Sequence, residues 1–312
     1  QFSVSPDGRL ILAGTDGMDT LDGVETLRFT DGDIQVAKDD VTGLYTLTGG
    51  TNTDTITIDP SSIEAFTIEG GLSDDILTTS SGDDTIIGGF GDDTIIGGLG
   101  SDVAVFNGPT AAYQFSVSPD GRLILAGTDG IDTLDGIETL RFTDGDIQVA
   151  KDDVTGLYTL TGGTNTDTIT IDPSSVEAFM IEGAAGADAL AGGLGNDIIS
   201  AGDGSDLVMV SGGNDSIDGG EGIDTISFGN FSADSNVAIN LTLGVADVTV
   251  VNQGAVIDDT VIVAEQSFQN IENIVGSHGD DLIIGNSANN TLTGGAGNDT
   301  IIGNDGNDII LA

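Results

Sequence analysis

The chain of 312 residues carries 52 Asp and Glu against six Lys and Arg, which gives a formal net charge of −46. This balance argues against nucleic acid as a partner, because no basic patch can offset phosphate charge, and a compact fold would need bound cations to relieve the repulsion. The absence of cysteine excludes disulfides and thiolate metal sites. The sequence contains no run of eighteen apolar residues, the length that a helix needs to cross a bilayer. An acidic disordered or halophilic protein is the alternative, but aliphatic residues at regular spacing argue against disorder.

Residues 1–69 are predicted to form a β-rich spacer. Two alternating runs flank the turn Pro6-Asp7-Gly8, which indicates a β-hairpin. Two isolated nine-residue segments, 14–22 and 49–57, start with glycine and have Asp at their sixth position, Asp19 and Asp54. We call these isolated copies satellite segments.

Strands with the pattern aliphatic-Glu-x-aliphatic lie between the nine-residue segments. Their apolar and polar residues alternate, so we expect the glutamates to face outward, the alternative being metal ligation. These glutamates are Glu25, Glu64, Glu138, Glu177 and Glu272. The phenylalanines near these strands, Phe29, Phe66, Phe142 and Phe179, are predicted core residues.

Residues 70–105 consist of four nine-residue units in tandem, GGLSDDILT, TSSGDDTII, GGFGDDTII and GGLGSDVAV. Glycine is frequent at positions 1, 2 and 4, where its tolerance of positive φ allows six residues to turn tightly with carbonyls facing inward. An aliphatic residue at position 8 then points inward from a three-residue strand. Stacked units are therefore predicted to share a thin apolar core.

Residues 106–182 contain a second copy of the spacer. Residues 114–183 repeat residues 1–70 with 66 of 70 positions identical, and their satellite segments place Asp132 and Asp167 at position 6. The second copy is preceded by residues 108–113, whereas the first copy starts abruptly at Gln1, so we expect the chain to be a fragment of a longer tandem protein.

Residues 183–227 hold five further units and residues 276–312 hold four. Between these blocks, β-branched alternation over residues 228–275 indicates a strand excursion. Position 6 is Asp in twelve of the thirteen tandem units, and Asn290 replaces it in the unit 285–293. The twelve are Asp75, Asp84, Asp93, Asp102, Asp188, Asp197, Asp206, Asp215, Asp224, Asp281, Asp299 and Asp308.

A carboxylate beside inward-facing carbonyls is a hard oxygen site of the kind that suits Ca²⁺. The predicted metal ligands are therefore these aspartates, together with the satellite residues Asp19, Asp54, Asp132 and Asp167. Turns that open with glycine at position 1 supply further candidates, at Gly70, Gly88, Gly97, Gly192, Gly219 and Gly294.

The units resemble the GGxGxDxUx nonapeptide of the RTX, or haemolysin-type calcium-binding, family. The resemblance implies an all-β fold of calcium-binding parallel β-roll, or β-solenoid, blocks separated by β-hairpin and β-strand excursions. Successive units would lie on alternate sides, with each Ca²⁺ between turns n and n+2. Blocks of four, five and four turns then give about seven or more Ca²⁺ ions as cofactors, and the site that includes Asn290 should be the weakest. The family also implies passage through a type I secretion channel and folding outside the cell.

Position 9 of each unit should face outward, yet several units have an aliphatic residue there. These are Ile87, Ile96, Val105, Ile284, Ile302 and Leu311. Exposed apolar stripes on an acidic surface often mark contacts, so self-association is expected. Coverage by neighbouring strands is the alternative.

The sequence has no His-Glu-x-x-His, Gly-x-Ser-x-Gly or Walker motif, so we predict that this segment is not an enzyme. Three functions remain open. The near-identical tandem units favour a secreted, extracellular component of a bacterial surface layer or adhesin stalk. The alternatives are the calcium-binding module of a secreted hydrolase or toxin, and a glycan-binding module that uses residues 228–275. Expected partners are Ca²⁺, neighbouring repeats of the same protein and cell-surface polysaccharide.

Overall fold

A computed structural model describes residues 1–15, 17–30, 32–231, 235–241, 243–250 and 261–311. The chain forms two compact units, Gln1–Val149 and Ala150–Ala312. The predicted all-β class is confirmed, since the described residues form strands and, as their one helix, the short 3-10 helix Thr110–Ala112.

Unit 1 contains the first spacer, the first block and most of the second spacer. Its strands are β1 (Phe2–Val4), β2 (Leu10–Gly14), β3 (Gly17–Leu21), β4 (Thr26–Arg28), β5 (Asp33–Lys38), β6 (Tyr45–Thr48), β7 (Thr55–Thr57), β8 (Phe66–Leu72), β9 (Ile76–Thr78), β10 (Thr85–Phe90), β11 (Thr94–Ile96), β12 (Val103–Val105), β13 (Gln114–Val117), β14 (Leu123–Ala126), β15 (Ile131–Asp135), β16 (Thr139–Arg141) and β17 (Asp146–Lys151), which runs past the boundary.

Two mainly parallel sheets form the stack of unit 1. In the first sheet, β6, β8, β10, β12 and β16 pair in parallel in that order, while β4 and β5 extend one end and β17 the other by antiparallel pairing. In the second sheet, β7, β9, β11 and β15 are parallel, and β14 and β13 follow antiparallel. Within the block each residue lies beside the one 18 positions later, as Thr85 does beside Val103. Alternate nonapeptides therefore share a sheet.

The predicted hairpin is present as β1 and β2, and β3 extends it. The parallel stack is not confined to the tandem units, because β8 runs across the predicted boundary between residues 69 and 70. The spacers and the block thus share one stack within unit 1.

Unit 2 contains the other two blocks and the excursion between them. Its strands are β18 (Tyr158–Thr161), β19 (Thr168–Thr170), β20 (Phe179–Glu182), β21 (Ala185–Gly186), β22 (Ala189–Ala191), β23 (Ile198–Gly204), β24 (Leu207–Met209), β25 (Ser216–Gly222), β26 (Thr225–Ser227), β27 (Ser235–Asn240), β28 (Val245–Val250), β29 (Val261–Gln269), β30 (Asn273–Val275), β31 (Leu282–Ile284), β32 (Thr291–Thr293), β33 (Thr300–Ile302) and β34 (Ile309–Leu311).

One sheet of unit 2 is parallel throughout, in the order β19, β22, β24, β26, β30, β32, β34. In the other, β18, β20, β23, β25 and β29 are parallel, and the antiparallel strands β28 and β27 connect them to β31 and β33. The excursion is therefore inserted into the stack. Residues 251–260 of the predicted excursion lie outside the described part of the chain.

The core of each stack is the predicted position-8 column. The residues of this column that are at most 2% exposed are Leu77, Ile86, Ile95, Ala104, Leu190, Ile199, Val208, Ile217, Ile226, Ile283 and Leu292. Burial of one such Leu or Ile contributes roughly 1.5–3 kcal/mol, whereas ordering nine residues costs roughly 9–18 kcal/mol of backbone entropy at 1–2 kcal/mol each. The apolar core alone therefore does not hold a turn in place.

The prediction that the phenylalanines are core residues is confirmed for Phe66, Phe142 and Phe179, which are at most 5% exposed. It is wrong for Phe29, which is 40% exposed. Its copy Phe142 packs on Phe106 and Tyr113, with ring centroids 5.3 and 5.1 Å away. Those two residues precede the second copy and correspond to nothing in residues 1–70. The same sequence packs differently because its neighbours differ.

Candidate metal sites

The position-6 aspartates form buried columns between successive turns. Those at most 6% exposed are Asp54, Asp75, Asp84, Asp93, Asp102, Asp132, Asp167, Asp188, Asp197, Asp206, Asp215, Asp224 and Asp281. Asp299 and Asp308 are half-buried. Burying this many carboxylates is costly unless each is hydrogen-bonded and its charge is balanced.

A regular hydrogen-bond ladder joins the aspartates of alternate turns. The backbone N–H of Asp75 donates to Oδ1 of Asp93 at 2.8 Å, and that of Asp84 donates to Oδ1 of Asp102 at 2.9 Å. In unit 2 the same bond joins Asp188 to Asp206 at 2.8 Å and Asp206 to Asp224 at 2.9 Å. One oxygen of each accepting carboxylate is thereby fixed by the turn two units before it.

The second oxygen, Oδ2, is buried without a hydrogen-bond partner in many of these aspartates. The residues concerned are Asp75, Asp93, Asp102, Asp188, Asp206, Asp215 and Asp224. A buried carboxylate oxygen without a donor is unfavourable by itself. These atoms are therefore candidate ligands for a cation.

Glycine at position 1 allows this unpartnered oxygen and a carbonyl oxygen to approach the backbone closely. At Gly70 a Cβ would lie closer than 3.0 Å to Oδ2 of Asp75 and to the carbonyl oxygen of Gly88, two turns on. Gly183 has the same surroundings, made by Asp188 and the carbonyl of Ala201. A carboxylate oxygen and a carbonyl oxygen of different turns thus converge beside position 1.

The reason predicted for glycine at position 1 is therefore wrong. Glycines with positive φ occupy positions 2 and 4, for example Gly89 (φ 110°) and Gly91 (φ 126°), whereas Gly88 at position 1 is not among them. Position 1 requires glycine because a Cβ there would collide with the Asp oxygen.

The donor set fits a hard divalent cation. Within the described ranges no three Asp, Glu or His side chains form a cluster, so carbonyl oxygens must supply part of any coordination shell. Mixed carboxylate and carbonyl oxygens are what Ca²⁺ takes, with six to eight ligands. In the same part of the chain, the arginine ion pairs involve aspartates outside the columns, namely Asp7, Asp22, Asp33, Asp120 and Asp146.

Burial also changes the acidity of the columns. It raises the pKa of Asp75, Asp188 and Asp224 to about 6 and that of Asp102, Asp132 and Asp215 to about 7, from an ordinary value of 3.8. The backbone N–H donors lower the pKa of each carboxyl but by less. Without a metal, the folded turns therefore bind protons more readily than the unfolded chain does.

This shift predicts a pH dependence for the calcium-free protein. Because the folded-state pKa lies above the unfolded value, the contribution to stability is full below about pH 4 and is lost as the pH rises through 6 to 7. Protein freed of calcium by dialysis should show more β signal in far-UV circular dichroism at pH 5 than at pH 8. An equal or larger β signal at pH 8 would contradict the raised pKa of the column aspartates.

The structure brings three of the four satellite aspartates into the columns. Asp54 donates its N–H to Oδ1 of Asp75 at 2.7 Å, Asp167 to Asp188 at 2.8 Å, and Asp132 accepts from the N–H of Asp93 at 2.9 Å. The fourth, Asp19, is exposed on β3, where it pairs with Leu12.

Two glutamates reach the columns, so the prediction that they face outward is wrong for this pair, and the alternative of metal ligation stays open. Glu138 and Glu272 were expected to face outward, but each is half-buried and accepts a hydrogen bond from the N–H of a column residue, Asp102 or Asp224. Each stands two residues before an inward-facing aliphatic residue, as position 6 does before position 8. That two-residue spacing is the sequence signal that could have identified these two glutamates. The prediction of outward-facing side chains is correct for Glu25, Glu64 and Glu177, which are exposed.

Residues at position 5 form a second, exposed hydrogen-bond ladder, which the sequence pattern did not predict. Asp92 donates its N–H to Asp74 Oδ1 at 2.8 Å, and Asn298 donates to Asp280 at 2.7 Å. The frequent Asp or Asn at position 5 thus has a structural role on the outside of the turns.

Asn290 interrupts the column in the third block. Its side chain is 1% exposed, and Nδ2 donates to the carbonyl oxygen of Glu272 at 2.8 Å and to Oδ1 of Asn286 at 3.2 Å. The amide of Asn290 therefore donates two hydrogen bonds that a carboxylate at position 6 could not donate.

We expect Asn290→Asp to add a calcium ion or to strengthen binding at this turn at least tenfold. A carboxylate cannot donate to the two oxygens, so a cation becomes the group that neutralises all three. Equilibrium dialysis would give the number and affinity of ions. Asn289→Asp is the matched control, because it adds the same charge at the exposed neighbour. If N290D and N289D bind calcium alike, the explanation is wrong.

Comparison with known families gives four matches to the RTX calcium-binding nonapeptide repeat, at residues 69–104, 182–217, 192–226 and 272–311. The chain carries RTX calcium-binding repeats. Repeats of this kind are structural and bind Ca²⁺, and they imply a calcium-dependent, secreted extracellular protein. The predicted fold, a parallel β-roll, is confirmed for the RTX blocks.

Other comparisons add little about function. No match was found among curated proteins. The crystal structure of the extracellular lipase LipA from Serratia marcescens matches 72% of this chain and 40% of that chain, with 20% identity and a TM-score of 0.28. The chain thus spans less than half of the lipase, and the low TM-score supports no functional argument. Among the described residues, no helix has the length and apolar character that a bilayer crossing needs.

Proposed function

We propose that the chain is a structural repeat segment of a bacterial surface layer or adhesin stalk that folds and assembles on binding Ca²⁺. The observation that carries the proposal is the near-identical tandem unit, in which residues 114–183 repeat residues 1–70 at 66 of 70 positions. Such repetition adds length and calcium sites without adding a catalytic constellation. We propose that this segment has no enzymatic activity.

The calcium ligands in this proposal are the column aspartates and the inward-facing carbonyls of the same turns. A pair such as Asp75 and Asp93, joined by the ladder, supplies the carboxylate oxygens of one site, and the carbonyl at Gly88 supplies another ligand. Counting alternate turns in the three blocks gives about seven ions, and the satellite residues Asp54 and Asp132 extend the count. Calcium supplies the positive charge that offsets the buried carboxylates.

Export follows from the same chemistry. The net charge of −46 keeps the chain expanded where calcium is scarce. We propose that the chain leaves the cell unfolded through a type I secretion channel and folds in external calcium.

Self-association is proposed to use the outward aliphatic residues of the third block. Ile284 and Ile302 are paired neighbours on β31 and β33, and Ile302 is 45% exposed. Leu282 on the same face is 39% exposed. An apolar stripe on an acidic surface suits contact with a second copy of the chain, once bound ions have reduced the repulsion between copies.

We expect Ile284→Thr combined with Ile302→Thr to weaken assembly in calcium while leaving calcium binding unchanged. Threonine already occurs in a strand of the third block, at Thr291 and Thr293 of β32, so the fold should tolerate it. Sedimentation velocity and negative-stain electron microscopy would measure assembly. Ile87→Thr with Val105→Thr is the control for the equivalent stripe of unit 1. Undiminished assembly of the first double variant would reject this stripe as the contact.

The same preparations test the alternatives. A parent protein that stays monomeric in calcium would favour the calcium-binding module of a secreted hydrolase or toxin. Calcium-dependent retention on a glycan array, lost when residues 228–275 are replaced, would favour a polysaccharide-binding module.

A further inference from the structure

Two turns outside the tandem units complete the Asp columns with glutamate. We propose that Glu138 in unit 1 and Glu272 in unit 2 each form a Ca²⁺ site of a kind that the nonapeptide pattern does not describe, in a shorter turn. The inference rests on the proposed role of the column aspartates as calcium ligands.

In unit 1 the site lies between Gly97, Asp102 and the chain at Gly136. The backbone N–H of Asp102 donates to Oε2 of Glu138 at 2.9 Å, the bond that an Asp accepts elsewhere in the ladder. The N–H of Glu138 in turn donates to the carbonyl oxygen of Asp102 at 3.2 Å. A Cβ on Gly97 would lie closer than 3.0 Å to Oδ2 of Asp102 and to the carbonyl oxygen of Gly136. Gly70 has the same kind of surroundings in the first block.

Unit 2 repeats this arrangement with different residues. The N–H of Asp224 donates to Oε2 of Glu272 at 3.0 Å, and the N–H of Glu272 donates back to the carbonyl of Asp224 at 3.2 Å. A Cβ on Gly219 would lie closer than 3.0 Å to Oδ2 of Asp224 and to the carbonyl oxygen of Asn270. Two separate units thus build the same donor set.

Both sites contain a buried oxygen that lacks a partner. Asp102 and Asp224 are each 0% exposed, and in both the Oδ2 atom accepts no hydrogen bond. The oxygen lies beside the glycine, where the carbonyl oxygen of the short turn also approaches. Two oxygens that converge in this way, next to a glutamate carboxylate, form a donor set that suits a cation.

The short turn explains why glutamate replaces aspartate. In a nonapeptide, five residues of chain lead from the position-1 carbonyl to the position-6 carboxylate, whereas only two lead from Gly136 to Glu138 or from Asn270 to Glu272. Positive φ at Gly136 (60°) and Asn270 (53°) reverses the chain in place of the longer loop. The longer side chain of glutamate then reaches the position that an aspartate occupies in the full turn.

Glu25 is a natural control for this interpretation. Gly23, Val24 and Glu25 have the same pattern as Gly136, Ile137 and Glu138, and Gly23 also has positive φ (62°). Glu25 is nevertheless exposed, and among the described strands β4 pairs with β5 alone, so no Asp turn stacks on it. The pattern makes a site only where an Asp turn precedes it in the stack.

The test is a calcium count on the whole chain by equilibrium dialysis and native mass spectrometry. Glu138→Gln and Glu272→Gln keep an oxygen that accepts the Asp N–H but remove the charge. Each is expected to hold one ion fewer than the parent, or to bind that ion at least tenfold more weakly, and the double variant two fewer. Glu25→Gln should bind as the parent does.

Glu138→Asp and Glu272→Asp keep the charge and shorten the side chain, and they should lose the same ion. Far-UV circular dichroism in excess calcium selects the variants that fold. If the folded variants, Gln or Asp, hold the full parental count at parental affinity, the inference is overturned. A parent chain that binds no calcium would instead reject the proposed role of the columns themselves.

Discussion

Removal of calcium at pH 8 is expected to abolish most of the β structure of this chain. Column aspartates such as Asp93 and Asp102 are 1% and 0% exposed, and in the absence of a cation their charges repel one another within a stack that buries few apolar side chains per turn. The aliphatic column contributes less than the backbone entropy it must offset. Metal binding is therefore coupled to folding, as in other small metal-dependent folds.

Far-UV circular dichroism in excess chelator, followed by return of calcium, would measure this effect. More than half of the β signal should disappear and then return. The radius of gyration should rise toward roughly 60 Å, the value for an unfolded chain of this length. Magnesium is the control ion, and it should restore little structure because it demands a smaller octahedral shell. Retention of the full β signal in chelator at pH 8 would contradict the prediction.

Gly88→Ala is expected to remove one calcium ion and to destabilise unit 1 even in excess calcium. The new methyl group would lie closer than 3.0 Å to Oδ2 of Asp93 and 3.0 Å from its Cγ, so it would displace a carboxylate that is proposed to bind the ion. Overpacking of this kind costs roughly 1–3 kcal/mol. For a unit of this size, that corresponds to a decrease in Tm of roughly 2–12 °C.

Gly50→Ala is the matched control for this substitution. A methyl group at Gly50 would have no heavy atom within 4 Å outside its chain neighbours, and the φ of Gly50 is not among the positive values. Calcium counting and thermal unfolding of both variants would separate displacement of the Asp93 carboxylate from a general effect of replacing glycine. Equal calcium counts and equal Tm values for G88A and G50A would show that position 1 does not hold the ion.

The sequence was sufficient to predict the features that repeat. Asp at position 6 and an aliphatic residue at position 8, as in Asp84 and Ile86, are periodic, and side-chain direction in a short strand depends only on that period. The same reasoning located the satellite residue Asp54, because its segment keeps the full nine-residue spacing.

Features that depend on a particular neighbour could not be predicted. Glu138 and Glu25 have almost the same local sequence, yet only Glu138 lies beneath an Asp turn. Asp19 and its copy Asp132 differ in the same way, one exposed and one buried. Periodicity also did not distinguish the two reasons for glycine. Positive φ at Gly89 and the close Asp93 carboxylate at Gly88 both exclude a side chain.

The 18-residue register has a consequence for how the chain folds. Within the blocks each strand pairs with one that is 18 residues away, about 6% of the 312-residue chain. Contacts this close in sequence form quickly, because little loop entropy is lost in closing them. Across the second spacer the separation rises to 39 residues, between Thr94 and Thr133, and across the excursion to 51, between Ser216 and Ser267. We therefore expect folding to spread rapidly turn by turn within each block and to slow at the spacer and the excursion, which set the overall folding rate.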